Sequence, residues 1–332
     1  MSIKYNIMNF ANVTRLVIPQ GEVIQIQDNL SRILWKKTPT SIPPYFYIED
    51  ISGQSNTITI KKLYSSTAPT ITVEKSTDGV NWTSMGTSST SGRSATIPAN
   101  GKLYLRCNAT TWSAANQPNC IESSGNVKVG GNIMSLLYGS NFTGNETTFP
   151  SGSAYTFQAL FALCKVVNAY DLVLPATTLV TACYKRMFSG RTMLTDAPSQ
   201  LPALNLATYC YQQMFQGCTS LNDPTYNFLP ATTLATYCYD YMFQGCTSLT
   251  TAPELQATTL VGYCYNYMFD GCSSLNSVVM MAIEWDMANT TMWLNGVDSL
   301  GTFGINPNAE YGEEVIGDPS GIPDGWEIVP VE

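Results

Sequence analysis

One twelve-residue block occurs three times in this chain. Residues 210–221, 238–249 and 264–275 all read C-Y-x-x-M-F-x-G-C-x-S-L. A looser copy carries Cys183, Tyr184, Met187, Phe188 and Gly190, and degenerate copies lie at 160–164 and 292–297. The large aromatics Phe161, Phe188, Phe215, Phe243, Phe269 and Trp293 are 27, 27, 28, 26 and 24 residues apart. A fixed period in this range points to modules that cannot bury their apolar side alone, so they must stack. That is the signature of a solenoid whose worn outer copies act as caps.

Within one copy, Leu206, Cys210 and Met214 fall at i, i+4 and i+8, with Ala207, Tyr211 and Phe215 beside them. This spacing predicts one buried face of a short helix. Gly217 ends it, since Gly tolerates the left-handed conformation of a helix terminus. Leu221, Leu249 and Leu275 then enter short extended segments closed by Pro230 or Pro253, where the missing N–H keeps strands brief.

The rest of the chain reads as β-structure. Residues 1–37 alternate apolar and polar residues over 14–18, 22–27 and 31–35, with Gln20-Gly21 and Asp28-Asn29 as turns. Three short strands bury little alone, so this segment is predicted to dock on something else. A stiff Pro-rich linker, 38–44, follows. Residues 45–130 read as a β-sandwich module with inward pairs Ile58/Ile60, Ile71/Val73, Leu103/Leu105 and Val127/Val129. Asp78-Gly79 and Asn100-Gly101 supply turns. The apolar patch at 132–137 is predicted to cover the open end of the repeats, which occupy 153–300. Residues 301–332 form a C-terminal cap in which Trp326 and Ile328 make a last strand. The predicted fold class is therefore mainly β plus an α/β solenoid.

Composition narrows the function. Charged residues make up 12% of the chain, against a typical ~25%. A net charge of -8 with no basic stripe argues against nucleic acid as a partner. The chain has no histidine, which removes the usual general base, the usual triad and the commonest metal ligand. No CxxC occurs, so no zinc is expected, and no cofactor is implied. No apolar run reaches the ~18 residues of a membrane span, and the first residues do not read as a secretory signal. Of ten cysteines, all but Cys107 and Cys120 lie in the repeats, where they recur at matching positions. They are predicted to be buried and reduced. The sequence leaves open whether Cys107 and Cys120 pair.

The repeat, with its intervening L-P-A-T-T-L at 229–234, resembles the BspA-type leucine-rich repeats of bacterial surface proteins over about 140 residues. The preceding block, with 76–82, 102–106 and 131–137, is similar to a β-domain found before such repeats in gut bacteria and their phages. Residues 76–82 also resemble the Asp-box hairpin of sialidases with one residue missing, and Trp82 is read as packing into the sandwich. Residues 13–37 resemble the segments by which phage tail and fibre proteins attach to the particle. The resemblance implies adhesion and ligand binding rather than catalysis.

Comparing copies separates framework from face. Cys, Tyr, Met, Phe and Gly repeat, whereas Lys185, Gln212, Asp240 and Asn266 vary at one position and Arg186, Gln213, Tyr241 and Tyr267 at the next. Variation between otherwise alike units marks positions free of packing, hence exposed. These eight residues are the candidate ligand-binding strip; no catalytic or metal residues are assigned. Tyr209, Tyr237 and Tyr263 read as a packing ladder, and Glu284 with Asp286 as a solvent-facing cap. The function these features support is a non-enzymatic virion protein of the fibre type. It would attach to other virion proteins through residues 1–37, assemble as a homo-oligomer (a trimer by fibre analogy), and bind a host-surface glycan or protein. A bacterial cell-surface adhesin is the alternative.

Overall fold

The computed structural model describes residues 45–63, 67–225, 227–310 and 312–331, and the strand backbones at 13–17, 25–28 and 33–36. Those first strands, β1 (Val13–Val17), β2 (Gln25–Asp28) and β3 (Ile33–Lys36), pair antiparallel in the order β1-β2-β3. The rest of the attachment segment assigned to 1–37, and the linker 38–44, lie outside the described residues.

Eight strands follow: β4 (Phe46–Asp50), β5 (Asn56–Lys62), β6 (Thr72–Ser76), β7 (Thr83–Thr87), β8 (Arg93–Ile97), β9 (Lys102–Cys107), β10 (Asn119–Ser123) and β11 (Val127–Asn132). One sheet runs β10-β5-β8; the other contains β11-β4-β9-β6-β7. Alternation decides what faces inward. Ile58 and Ile60 on β5, Leu103 and Leu105 on β9, and Val127 and Val129 on β11 are buried in one shared core. Trp82 is not in it. It lies half-buried against the Arg106 guanidinium, 4.3 Å from the ring, and the Tyr45 ring at 4.7 Å. Arg106 and Glu74 pair across β9 and β6 at 2.7 Å, so Trp82 covers a salt bridge outside that core.

The patch at 132–137 holds the one described α-helix, α1 (Ser135–Tyr138). Ser135 Oγ donates to the Leu105 carbonyl and accepts the Phe46 N–H, which seats the patch on β9 and β4. The larger sheet also runs into the repeats. β12 (Val166–Asn168) and β13 (Leu172–Val173) pair in parallel with β11.

The predicted α/β solenoid of leucine-rich type is overturned here. The described chain is mostly β with a single four-residue helix, and no copy of the repeat contains a helix. The segments predicted as helices are runs of turns. Tyr209, Gln213 and Gly217 have φ of 60°, 58° and 72°, and Tyr237, Tyr241, Gly245 and Tyr263, Tyr267, Gly271 repeat the pattern. A left-handed residue at every fourth position cannot occur in an α-helix. Alternate N–H groups close the turns: Cys210, Gln212, Met214 and Gln216 donate to the carbonyls three residues earlier. The N–H groups between them, on Tyr209, Tyr211, Gln213, Phe215 and Gly217, donate instead to Thr236, Cys238, Asp240, Met242 and Gln244 of the next copy, at 2.7–3.3 Å. Each left-handed L-residue costs about 1–2 kcal/mol, which the bonds and ring contacts to the neighbouring copy offset. Gly217 takes the third left-handed place without strain, and an added Cβ there would lie at ordinary contact distance, 3.7 Å, from the Cα of Gly190.

Two aromatic columns fill the interior. Tyr184, Tyr211, Tyr239 and Tyr265 stack at 5.7–6.0 Å, and Phe161, Phe188, Phe215, Phe243 and Phe269 at 5.0–5.6 Å. Met187, Met214, Met242 and Met268 and all the cysteines of the repeats are buried beside them. At the far end the register differs from the spacing read in the sequence. Phe269 N–H donates to the Trp293 carbonyl as Phe243 N–H donates to that of Met268, so Trp293 stands at the methionine level. Beyond it β14 (Ser277–Met280), β15 (Thr302–Ile305) and β16 (Glu327–Pro330) form a parallel sheet in that order. Trp293 Nε1 donates to the Gly321 carbonyl at 2.8 Å, which ties the last segment over the final rings.

Candidate binding face

The four-residue turn period sends each side chain of a copy to a fixed side. Cys, Tyr, Met and Phe go inward. The residue after each inward Tyr, and the left-handed residue after that, form two columns on the outer side. The first column is Lys185, Gln212, Asp240 and Asn266; the second is Arg186, Gln213, Tyr241 and Tyr267. The structure therefore brings the eight residues of the sequence-read strip together as two columns.

Their exposure differs from the sequence reading. Arg186 is exposed, and Lys185, Gln212, Gln213, Tyr241 and Tyr267 are half-buried. Asp240 is only 4% exposed and Asn266 only 8%. Stacking explains the difference, because each member of a column is covered by the copy above and below it. Two pairs of these side chains bond to each other, Gln212 Nε2 donating to Asp240 Oδ2 at 2.6 Å and Arg186 Nε to Gln213 Oε1 at 2.6 Å, whereas Asn266 Oδ1 accepts the Thr291 main-chain N–H at 3.0 Å. Burial pushes the Asp240 carboxyl up to about 6, with the Gln212 amide and Lys185 opposing. Burial likewise lowers Lys185, and Arg186 adds to the effect.

Two further columns border the strip. Tyr209, Tyr237 and Tyr263 stack at 5.0 and 4.9 Å, with planes within 17° and 10°, and Tyr241 and Tyr267 stack at 4.5 Å and 5°. Gln216, Gln244, Asp270 and Asn295 form an amide and carboxylate column with bonds of 2.6–2.7 Å from copy to copy. Stacked rings cover one another's faces and turn their edges outward. A ligand that needs a ring face meets it only where a column ends. Tyr263 is such an end: it is 44% exposed, and Tyr237 is its only ring partner among the described residues.

All ten cysteines are free and buried, and burial pushes Cys210, Cys218 and Cys272 up to about 12, far from a reactive thiolate. Glu284 and Asp286 are exposed, and Asp286 caps a short 3-10 turn by accepting the Ala288 N–H at 2.9 Å. Among the described residues no group of three metal-ligating side chains converges, and no helix is long and apolar enough to cross a membrane.

Sequence reading passed over the amide column and one property of the charge distribution. Arg191 is the last basic residue of the chain, and fifteen of the twenty-four acidic residues follow it. Charge counted by segment rather than over the whole chain would have shown this. No family model, curated protein or solved structure matches the chain.

Proposed function

We propose that this is a non-enzymatic binding protein of the phage-fibre type, which presents the outer columns of its repeats to a ligand on a host surface. The observation that carries the reading is the pair of parallel tyrosine columns, Tyr209–Tyr237–Tyr263 and Tyr241–Tyr267, held outward by strained left-handed backbone. Tyrosine combines a wide apolar ring with a polar tip, and it is enriched where proteins recognise partners. Attachment to other virion proteins through residues 1–37 and assembly as a homo-oligomer, a trimer by fibre analogy, belong to the same proposal. Both are supported by the resemblance of 13–37 to phage attachment segments. The likeness of the repeat motif to bacterial surface repeats favours a second reading, a cell-surface adhesin, which would use the same face.

The experiment is attachment of the labelled full chain to cells of the bacterial host, wild type against the Tyr263→Leu/Tyr267→Leu double variant. The expected result is a loss of about ten-fold or more, in line with removal of two central aromatic contacts. Unchanged attachment would rule out this face. Failure of a chain lacking residues 1–37 to enter particles separates the virion reading from the adhesin.

A further inference from the structure

The tyrosine column has two ends, and they are finished differently. At the Tyr209 end the Lys185 ammonium lies over the ring, 5.2 Å from its centroid. At the Tyr263 end no ring or cation covers the face among the described residues. The main-chain ladder also changes there. Tyr209 and Tyr237 donate their N–H groups to main-chain carbonyls of the next copy, whereas Tyr263 N–H goes to the side chain of Asn289, Oδ1, at 3.0 Å. Asn289 Nδ2 in turn donates to the Asp286 carboxylate at 3.4 Å, so Asp286 is tied to the main chain of Tyr263 through one side chain.

Charge selects what fits. No lysine or arginine occurs after Arg191, so the segment that carries Tyr263 has carboxylates and no cation of its own. A tyrosine face near a carboxylate, in a field of uncompensated negative charge, attracts cations by ring quadrupole and by charge together. The molecule already sets a lysine over a tyrosine ring at Tyr209, under Lys185, and at Tyr47, under Lys102.

We propose that the open face of Tyr263, with Asp286 beside it, is a docking site for a lysine ammonium on a basic polypeptide partner. The inference rests on the reading of the repeats' outer side as the binding face, and it names the chemistry of the ligand. It also sets a polarity: the partner engages the C-terminal end of the column, since Lys185 already occupies the other.

The test is binding of a labelled Gly-Lys repeat peptide to the full chain, against the same peptide with every lysine acetylated. Wild type is expected to bind the unmodified peptide, with acetylation weakening it about ten-fold or more as charge and cation–π attraction are lost together. Tyr263→Phe keeps the ring and should stay within about two-fold, whereas Tyr263→Leu should weaken binding about three- to five-fold. Asp286→Asn should weaken it about two- to three-fold while leaving the ring in place. Equal binding of the two peptides would overturn the proposal. So would a Tyr263→Leu chain that binds as wild type does, because the attraction would then come from the diffuse acidic field. If attachment to host cells depends on Tyr263 while acetylation makes no difference, the cation inference fails and the adhesion reading stands.

Discussion

The Cys246 thiol donates to the carbonyl of Phe215, 31 residues earlier, at 3.1 Å; Cys218 and Cys272 repeat the bond to Phe188 and Phe243. A cysteine column thus joins copy to copy through S–H donors, which requires the reduced state. With the left-handed turns and the ring columns, it forms a third link between adjacent copies.

Thiol titration follows from that. In native protein at pH 8 no cysteine should react with a thiol reagent on the minutes scale, because all ten are buried. After unfolding in guanidinium without reductant, all ten should react. A count below ten would show that disulfides had formed, with Cys107 and Cys120 the first pair to examine.

Phe215 and Tyr263 separate the inner columns from the outer ones. Phe215 is fully buried between Phe188 and Phe243, so Phe215→Ala should cost about 3–5 kcal/mol in denaturant unfolding. Tyr263, exposed at the end of its column, should cost about 1 kcal/mol or less when replaced by Leu. Equal losses at the two sites would contradict the assignment of inside and outside.

Asp240 makes stability depend on pH. Its carboxyl is raised from 3.8 to about 6 in the folded chain, chiefly by burial. Between those values the native state binds more protons than the unfolded one, so this contribution to stability is present in acid and is lost as pH rises through about 6. Asp240→Asn keeps an oxygen for the Gln212 amide and removes the buried charge. It should be more stable than wild type by about 1–3 kcal/mol above pH 7, with the difference closing below about pH 4. A variant less stable than wild type at pH 8 would refute this.

The repeat period and the inward Cys, Tyr, Met and Phe positions were legible in the sequence, because identical units must bury identical residues. The β-module's inward pairs were legible from alternation, as at Ile58 and Ile60. Helix could not be told from turn. An α-helix repeats every 3.6 residues and this ladder every four, so Cys210 and Met214 fall into the same stripe either way. Nothing in a Gln or Tyr announces a positive φ; only Gly217 does, and a Gly at that place fits a helix terminus equally well. The burial of Asp240 and Asn266 was hidden for a related reason. Variation between copies shows that a position accepts several side chains, and a polar column accepts several while staying covered. The hairpin at 76–82 is legible too, but the side on which it leaves Trp82 is not: the residue sits just before β7 and packs on Arg106, outside the shared core.

The most direct test of the turn ladder is the sign of two glycine substitutions, read by thermal and denaturant unfolding. Gln213 has a φ of 58°, and Gln212, its neighbour, is not among the left-handed residues. In the ladder, Gln213→Gly relieves a strained residue and should be neutral to about 1 kcal/mol stabilising, while Gln212→Gly should lose about 1 kcal/mol. If both substitutions destabilise the chain by a similar amount, as glycine does inside a helix, the four-residue turns are contradicted and the outer columns lose their basis.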